Sequence, residues 1–237
     1  GDVFASMLYE HSGPDKEHYP KVVRFASTDG GLTAATQTTI LDMKGEPQGQ
    51  SHQISCLEFT PDGALWVHVG DGFNPNTARN LNSLRGKILR MLPDGSPHPD
   101  NPFYGLKPEW RVRNYIYSYG LRNPFGGAYR AADGKRYEVE NGPAIDRLAE
   151  VVRGRNFGWT GANFQMRFFA LYAWEPAHAP VNIDFIQEET FGGSGFPPSK
   201  WDHAFVAESG PTWGYGQQER GKRIVEFDFD DASGALA

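Results

Sequence analysis

The sequence predicts an all-β fold of the propeller type. A succession of short apolar or alternating runs has the pattern of β-strands, and helix signals are few. The chain carries 28 Gly and 17 Pro among 237 residues, so frequent turns are expected. Many short strands at regular spacing, joined by Gly, Pro and Asp turns, are typical of sandwiches, barrels and propellers.

The individual strands follow from the apolar pattern along the chain. Residues 64–70 show it most clearly, because Leu65, Val67 and Val69 alternate with polar or amphipathic neighbours. The turn at 61–63 (Pro-Asp-Gly) makes a tight reversal just before this strand. A short helix is predicted over 77–84, and 167–174 fits either a helical turn or a strand. The predicted strands are 3–9, 22–27, 37–43, 54–60, 64–70, 86–92, 114–119, 125–130, 135–140, 146–152, 203–208 and 222–229.

A weak internal repeat favours the propeller over the other all-β folds. Residues 58–67 and 128–137 both read as an aromatic residue, an Asp-Gly turn and a strand that runs into a Gly-containing loop. Residues 201–211 form a fainter third copy. Repeated strand units with loops on one rim are expected of a propeller, and the strand count gives roughly four units, the first and last incomplete. We expect residues 1–237 to form a single domain that is part of a larger propeller.

Composition excludes several classes of function. The net charge of -6 argues against a nucleic-acid partner, which needs a basic surface. Apolar runs stay far below the ~20 residues of a membrane helix. Cys56 is the single cysteine, so no internal disulfide forms. No signal peptide, phosphate-binding loop, nucleophile elbow or paired-Cys metal motif is visible.

Four ordered blocks between residues 52 and 159 carry a more specific pattern. Together they resemble the soluble quinoprotein glucose/sorbosone dehydrogenase family, whose members are aldose sugar dehydrogenases that use pyrroloquinoline quinone. The blocks are His52 with Leu57, Phe59, 61–63 and Gly70-Asp71; Leu84 with 86–90, Asp94-Gly95 and 100–102; Gly120-Leu121-Arg122-Asn123-Pro124; and Gly142-Pro143 with 154–159 (Gly-Arg-Asn-Phe-Gly-Trp).

The resemblance implies a six-bladed propeller with pyrroloquinoline quinone across the central channel and a calcium ion beside it. The implied reaction oxidises the C1 hydroxyl of an aldose and passes hydride to the quinone, with a cytochrome or quinone as electron acceptor, in the periplasm or outside the cell. The alternative is a non-catalytic propeller that serves as a binding or assembly subunit, with another protein covering its open edges. The missing blades favour that alternative.

His52 matches the catalytic base of the family. Imidazole suits this role because its unperturbed pKa of ~6.5 leaves the neutral form ready to accept a proton near neutral pH. The alternative is a histidine bonded to the backbone where a strand begins. The neighbouring Ile54 is bulkier than the small residues of the family pattern, and we expect it to narrow the sugar pocket.

Arg122 and Asn123 match the cofactor-contacting pair of the family. A guanidinium suits the quinone's carboxylates, and an amide donates and accepts toward its carbonyl and ring nitrogen. The alternatives are that Arg122 pairs with a core carboxylate and that Asn123 caps the turn before a proline. Asn141 stands where the best-known members have a glutamine and is also assigned to the cofactor.

Gly142 and Pro143 match positions whose backbone carbonyls bind calcium in the family. Hard cations accept carbonyl oxygens, although a plain Gly-Pro turn explains the same pair. The residues that follow, 144–147, are one shorter than the family pattern and lack its glutamate. Aromatic residues suit a sugar site, but packing in the core or between blades is the favoured role for Trp159, Phe164, Phe168, Phe169, Tyr172 and Trp174.

Overall fold

A computed structural model of the chain confirms the all-β prediction. It describes residues 1–10, 17–49, 51–105, 111–211, 220–230 and 233–236. Within these ranges the strands form four antiparallel sheets of three, four, four and three strands. No helix in the described ranges is long and apolar enough to cross a membrane.

Each sheet is one blade, and its strands follow one another in chain order. Blade 1 contains β1 (Val3–Glu10), β2 (His18–Ala26) and β3 (Thr36–Asp42). Blade 2 contains β4 (Ile54–Phe59), β5 (Leu65–Val69), β6 (Lys87–Met91) and β7 (Ile116–Tyr119). Blade 3 contains β8 (Pro124–Arg130), β9 (Lys135–Glu140), β10 (Asp146–Glu150) and β11 (Ala170–Trp174). Blade 4 contains β12 (Pro180–Phe185), β13 (Ala204–Glu208) and β14 (Arg223–Phe227).

The blades fan about a common axis. The first strands of successive blades, β1, β4, β8 and β12, contact one another in that order. Buried apolar clusters fill the space between neighbouring blades, as a propeller requires. The clusters contain Leu41 and Val67 between blades 1 and 2, Ile88 and Ala149 between blades 2 and 3, and Leu148 and Ile183 between blades 3 and 4.

This topology divides the loops between two rims. Because neighbouring strands are antiparallel, the start of the first strand and the end of the second lie at one end of a blade, which we call the upper rim. The turn between the first and second strands lies at the opposite end, the lower rim. Segments far apart in sequence, such as 51–53, 70–73, 120–123 and 141–145, therefore meet at the upper rim.

The repeat detected in the sequence is confirmed, and its copies end in β5, β9 and β13, the second strands of blades 2, 3 and 4. The predicted helix 77–84 is wrong in extent. The structure has a four-residue helix α1 (Pro75–Ala78), with Pro75 in its first turn and Asn74 as N-cap. Asn80 and Asn82, which favour turns over a helix interior, follow it.

The remaining differences concern short elements. β12 was not predicted, although Ile183 and Phe185 are buried and alternate with exposed Asn182 and Asp184, the period-two pattern of a half-buried strand. Residues 170–174 take the strand alternative, after a 3₁₀ turn at Asn163–Arg167. A short helix α2 (Arg111–Tyr115) precedes β7, and 3₁₀ turns lie at Glu189–Phe191 and Pro198–Lys200.

A buried lysine fixes the loop that connects β5 to β6. Lys87 is fully buried, and its Nζ donates to the carbonyl oxygens of Thr77 at 2.9 Å, Ala78 at 2.8 Å and Arg85 at 2.5 Å. Burial lowers the pKa of Lys87 to about 7. The carbonyls of Thr77 and Ala78 also accept the backbone N–H groups of Asn80 and Gly120, so the buried ammonium adds three charge-assisted hydrogen bonds that hold this loop together.

We expect Lys87→Met to lower the free energy of unfolding by about 3 kcal/mol, because the variant loses three charge-assisted hydrogen bonds in a buried site. Urea denaturation of the variant and of wild type measures the difference. Lys44→Met, at an exposed lysine, is the control and should change the free energy by less than about 0.5 kcal/mol. Equal losses in the two variants would contradict a structural role for the buried ammonium.

Candidate active site

The upper rim holds a cavity of about 370 Å³. Loops of blades 2, 3 and 4 line it, each from the start of a first strand or the end of a second. Four of the residues predicted from the sequence lie together in its wall: His52, Arg122, Asn123 and Asn141. The other lining residues are Ser51, Phe73, Phe125, Ala179, Val181 and Ser209.

His52 is buried and held by a carboxylate. Its Nδ1 lies 2.6 Å from Oδ1 of Asp71, which also accepts the backbone N–H of Phe73 at 3.0 Å. A carboxylate only accepts hydrogen bonds, so Nδ1 carries the proton and Nε2 keeps a free lone pair. The ring therefore does not take the backbone-bonded alternative considered from the sequence.

The electrostatics of the site favour the neutral imidazole. Burial lowers the pKa of His52, and the positive charge of Arg122 lowers it further. The hydrogen bond and charge of Asp71 act in the opposite direction, but the net shift is downward. His52 is thus a neutral base with a fixed tautomer at neutral pH.

The loop after β5 encloses this histidine. Gly70 packs directly on its backbone, and a Cβ at that position would lie 2.5 Å from the carbonyl carbon of His52. Gly72 donates its N–H to the His52 carbonyl oxygen at 3.3 Å. The ring of Phe73 stacks on the imidazole with 3.9 Å between centroids, and Phe73 is itself 60% exposed. One face of the base is therefore shielded by an aromatic ring that borders the cavity.

A distant segment completes the support of Asp71. Residues 154–159 run beside β7, where the N–H groups of Phe157 and Trp159 donate to the carbonyls of Tyr119 and Gly120 at 2.8 and 2.9 Å. This path places the Trp159 Nε1–H 2.9 Å from Oδ2 of Asp71. The Gly-Arg-Asn-Phe-Gly-Trp block thus helps to orient His52, because Trp159 holds the Asp71 carboxylate that binds the imidazole.

Arg122 and Asn123 present unused hydrogen-bonding capacity to the cavity. Arg122 Nη1 donates to the carbonyl oxygen of Asn141 at 2.7 Å, and within the described ranges the guanidinium has no carboxylate in ion-pair distance. The buried Oδ1 of Asn123 has no hydrogen-bond donor there either. Neither alternative from the sequence holds: Arg122 pairs with no core carboxylate, and the Asn123 side chain caps no turn.

The predicted metal residues lie beside the cavity. Gly142 is buried, and its N–H donates to Oδ1 of Asp146 at 2.9 Å, while Pro143 is exposed. The other oxygen of Asp146 accepts the N–H groups of His178 and Ala179, both at 2.7 Å, which joins this turn to blade 4. In the part of the chain that is described, no three His, Cys, Asp or Glu side chains cluster as a metal site. A cation here would therefore rely on backbone oxygens.

Of two expectations about bulky residues, the one for Ile54 is wrong and the one for the aromatic residues holds only in part. The side chain of Ile54 belongs to the apolar cluster between blades 1 and 2 and does not enter the cavity. Trp159 and Trp174 are buried as expected, but Phe164, Phe168, Phe169 and Tyr172 are more than 40% exposed. Tyr172 nevertheless packs on Phe227 of blade 4, with 5.1 Å between ring centroids, as predicted for packing between blades.

The arrangement around His52 recurs in blade 4. His178, like His52, stands two residues before the first strand of its blade. Its Nδ1 lies 2.9 Å from Oε2 of buried Glu208, whose other oxygen accepts Trp174 Nε1–H at 2.6 Å. Blade 3 has Arg122 at the equivalent position, and its backbone N–H donates to Glu140. The radial repeat thus places a basic residue and a buried carboxylate on the upper rim of three blades.

The site residues that sequence reasoning missed are Asp71, Phe73 and the orienting role of Trp159. Asp71 stands in the Gly-Asp pair of the first block, but nothing in the sequence shows that it pairs with His52.

Residues 3–196 match the Glucose / Sorbosone dehydrogenase family. The chain belongs to this family.

Individual family members agree with this assignment. The quinoprotein glucose dehydrogenase B of Acinetobacter calcoaceticus is 31% identical over 180 residues, which make up 67% of this chain and 36% of that protein. The soluble aldose sugar dehydrogenase of Escherichia coli, solved in its apo-form, superposes with a TM-score of 0.79 at 20% identity and covers 100% of this chain and 67% of that chain.

A third member was solved with its cofactor. The PQQ-bound aldose sugar dehydrogenase of Streptomyces coelicolor superposes with a TM-score of 0.69 at 23% identity, covering 99% of this chain and 60% of that chain. These likenesses support the propeller fold. The chain spans half or less of the length of the curated relatives it matches.

Proposed function

We propose that this chain forms the catalytic part of a sugar dehydrogenase that oxidises the C1 hydroxyl of an aldose with pyrroloquinoline quinone. The observation that carries the proposal is the neutral, carboxylate-held His52 in one cavity with a guanidinium and an amide oxygen, neither of which has a carboxylate or donor partner among the described residues. A base and an anion-binding group in one cleft are what this oxidation needs.

His52 is the proposed proton acceptor. With Nδ1 held by Asp71, Nε2 takes the proton of the C1 hydroxyl as the C1 hydrogen leaves. The negative Asp71 then stabilises the imidazolium that forms, and Trp159 keeps the carboxylate in place. Phe73 shields one face of the ring from water. The bound quinone supplies the acceptor for the hydride that leaves C1.

The residues present fit such a cofactor. The charge of Arg122 suits a carboxylate of the quinone, and Oδ1 of Asn123 accepts no hydrogen bond from the described residues. Asn141 orients Arg122 through its carbonyl, and its own Nδ2 donates to the carbonyl of Pro180 at 2.7 Å. Calcium at the carbonyls of Gly142 and Pro143, a cytochrome or quinone as electron acceptor, and a periplasmic or extracellular location are further parts of the proposal.

Enzyme assay of the full-length protein tests the function. The protein is mixed with calcium, pyrroloquinoline quinone and a panel of aldoses, and dye reduction is followed. The proposal expects reduction that requires both the quinone and a sugar. The absence of a quinone-dependent rate with every sugar, together with no quinone uptake, would instead support the non-catalytic scaffold.

Arg122 should control quinone affinity. We expect Arg122→Gln to weaken quinone binding by about 10- to 100-fold, the scale of one charge-assisted hydrogen bond, and Arg122→Lys to weaken it less. Equilibrium dialysis of the quinone in the presence of calcium gives the affinities without relying on turnover. Arg79→Gln, at an exposed arginine outside the cavity, is the control and should bind like wild type. Unchanged affinity in Arg122→Gln would contradict this assignment.

A further inference from the structure

A second cavity lies at the lower rim, opposite the candidate active site. It has a volume of about 720 Å³ and is lined only by residues of blades 2 and 3. Both of these blades have four described strands, so further blades would pack elsewhere and leave this cleft in place. The proposed reaction uses none of its residues.

The cleft is rich in positive charge, although the chain as a whole is acidic. Four cationic side chains line it against two carboxylates, and these are Arg90, Lys135, Arg136 and Arg153 against Asp62 and Glu150. Arg90 contacts Asp62 at 2.5 Å, and Lys135 lies 3.5 Å from Glu150. Arg153 donates through Nε to the carbonyl of Asp100 at 2.9 Å and has no ion pair with any described carboxylate.

Guanidinium groups also form the floor. Arg136 is 4% exposed and lies 4.6 Å from the Trp66 ring, with Arg90 at 5.4 Å from the same ring. Arg136 is ion-paired with Glu58, yet its Nε–H and that of Arg90 have no acceptor in the described chain. These Nε–H groups are buried, so the floor acts on a ligand through the positive charge of its guanidinium groups.

Aromatic residues complete the cleft. Tyr117 packs edge-on against Trp66 at 4.6 Å between centroids, and Tyr129 faces it from blade 3. Burial raises the pKa of Tyr117, while the charges of Arg90, Arg153 and Arg136 oppose the shift. The positive charges of three guanidinium groups therefore reach the Tyr117 hydroxyl. Donors and rings together suit a small organic anion with a flat or apolar side.

We propose that this lower-rim cleft is a binding site for a small hydroxylated anion, one that carries a carboxylate or phosphate group. The anion would accept hydrogen bonds from Arg153 and Tyr117, the charge of the floor guanidinium groups would attract it, and its carbon skeleton would pack on Trp66 and Tyr129. A sugar acid and a sugar phosphate share this chemistry. A neutral sugar has no negative group to pair with the Arg153 guanidinium.

Calorimetric titration of the full-length protein tests the site. The probes are gluconate, glucose 6-phosphate, inorganic phosphate and neutral glucose. We expect saturable binding of at least one of the two sugar anions, weakening as salt is added. Gluconate and glucose 6-phosphate distinguish the two sources of the anion, and inorganic phosphate shows whether charge alone suffices. Arg122→Gln should leave this binding unchanged, which separates it from the upper cavity and from the proposed dehydrogenase activity.

Variants locate the binding. Arg153→Glu should weaken it by at least about tenfold, the loss of one charge-assisted hydrogen bond. Tyr117→Phe should weaken it by a smaller factor without altering charge. Arg79→Glu, with the same charge change at a distant exposed position, should bind like wild type. Absence of saturable binding for both sugar anions, or equal losses in Arg153→Glu and Arg79→Glu, would overturn the proposal.

Discussion

Replacing His52 by Ala is expected to lower turnover of an aldose by about 10²- to 10⁴-fold, the scale of losing an acid–base group. His52 offers the free Nε2 in the upper cavity, and Asp71 fixes its tautomer. Without the ring, the hydroxyl proton has only water as acceptor. Quinone affinity should change little, because Arg122 and Asn123 remain. Steady-state kinetics and quinone binding, measured in parallel, separate the two effects.

His18→Ala is the matched control, because His18 lies on an exposed part of β2 in blade 1. It should retain wild-type turnover. A His52→Ala protein that binds the quinone and keeps its turnover within about threefold of wild type would exclude His52 as the base.

Replacing Asp71 by Asn is expected to cost about 10²-fold or more in kcat/KM, although the residue does not touch the sugar. An amide can turn its NH₂ group toward Nδ1, and the proton then moves to Nε2, where it blocks the base. The variant also removes a hydrogen bond and a negative charge that raise the pKa of His52. That pKa, already lowered by burial, should fall further.

The pH profile separates tautomer from charge. In wild type, the neutral base is present above the pKa of His52, so the acid limb of kcat/KM should lie below pH ~6.5. Asp71→Asn should move this limb to still lower pH while reducing the plateau. Asp100→Asn, at an exposed carboxylate in another loop, is the control. A limb that shifts upward in Asp71→Asn would contradict the described electrostatics.

Local sequence pattern was sufficient for most of the fold. Alternation in 64–70 and the Asp-Gly turns located the second strand of each blade, because a half-buried strand repeats every two residues. The strand β12 was missed although Ile183 and Phe185 alternate with exposed Asn182 and Asp184 in the same way. The prediction also failed at 77–84, where asparagines follow a helix of only four residues.

Part of the candidate site could be named from the sequence because its residues stand in short motifs. His52, Arg122 and Asn123 stand in contiguous motifs, and the topology brings them to one rim. Asp71 and Trp159 act through each other across 88 positions, a contact that spacing alone does not encode. Ile54 was misplaced because successive side chains of a strand point to opposite faces, and a shift of one residue exchanges those faces. The side chain of Ile54 faces the core between blades 1 and 2.

A single-turnover experiment tests the central claim most directly. The full-length protein and its His52→Ala variant are each loaded with calcium and one equivalent of pyrroloquinoline quinone, an aldose is added without dye, and the quinone absorption is followed. We predict that wild type reduces its bound quinone rapidly, while His52→Ala binds the quinone equally well and reduces it at least about 10²-fold more slowly. Quinone that never binds to wild type, or that is reduced at the same rate in both proteins, would contradict the account.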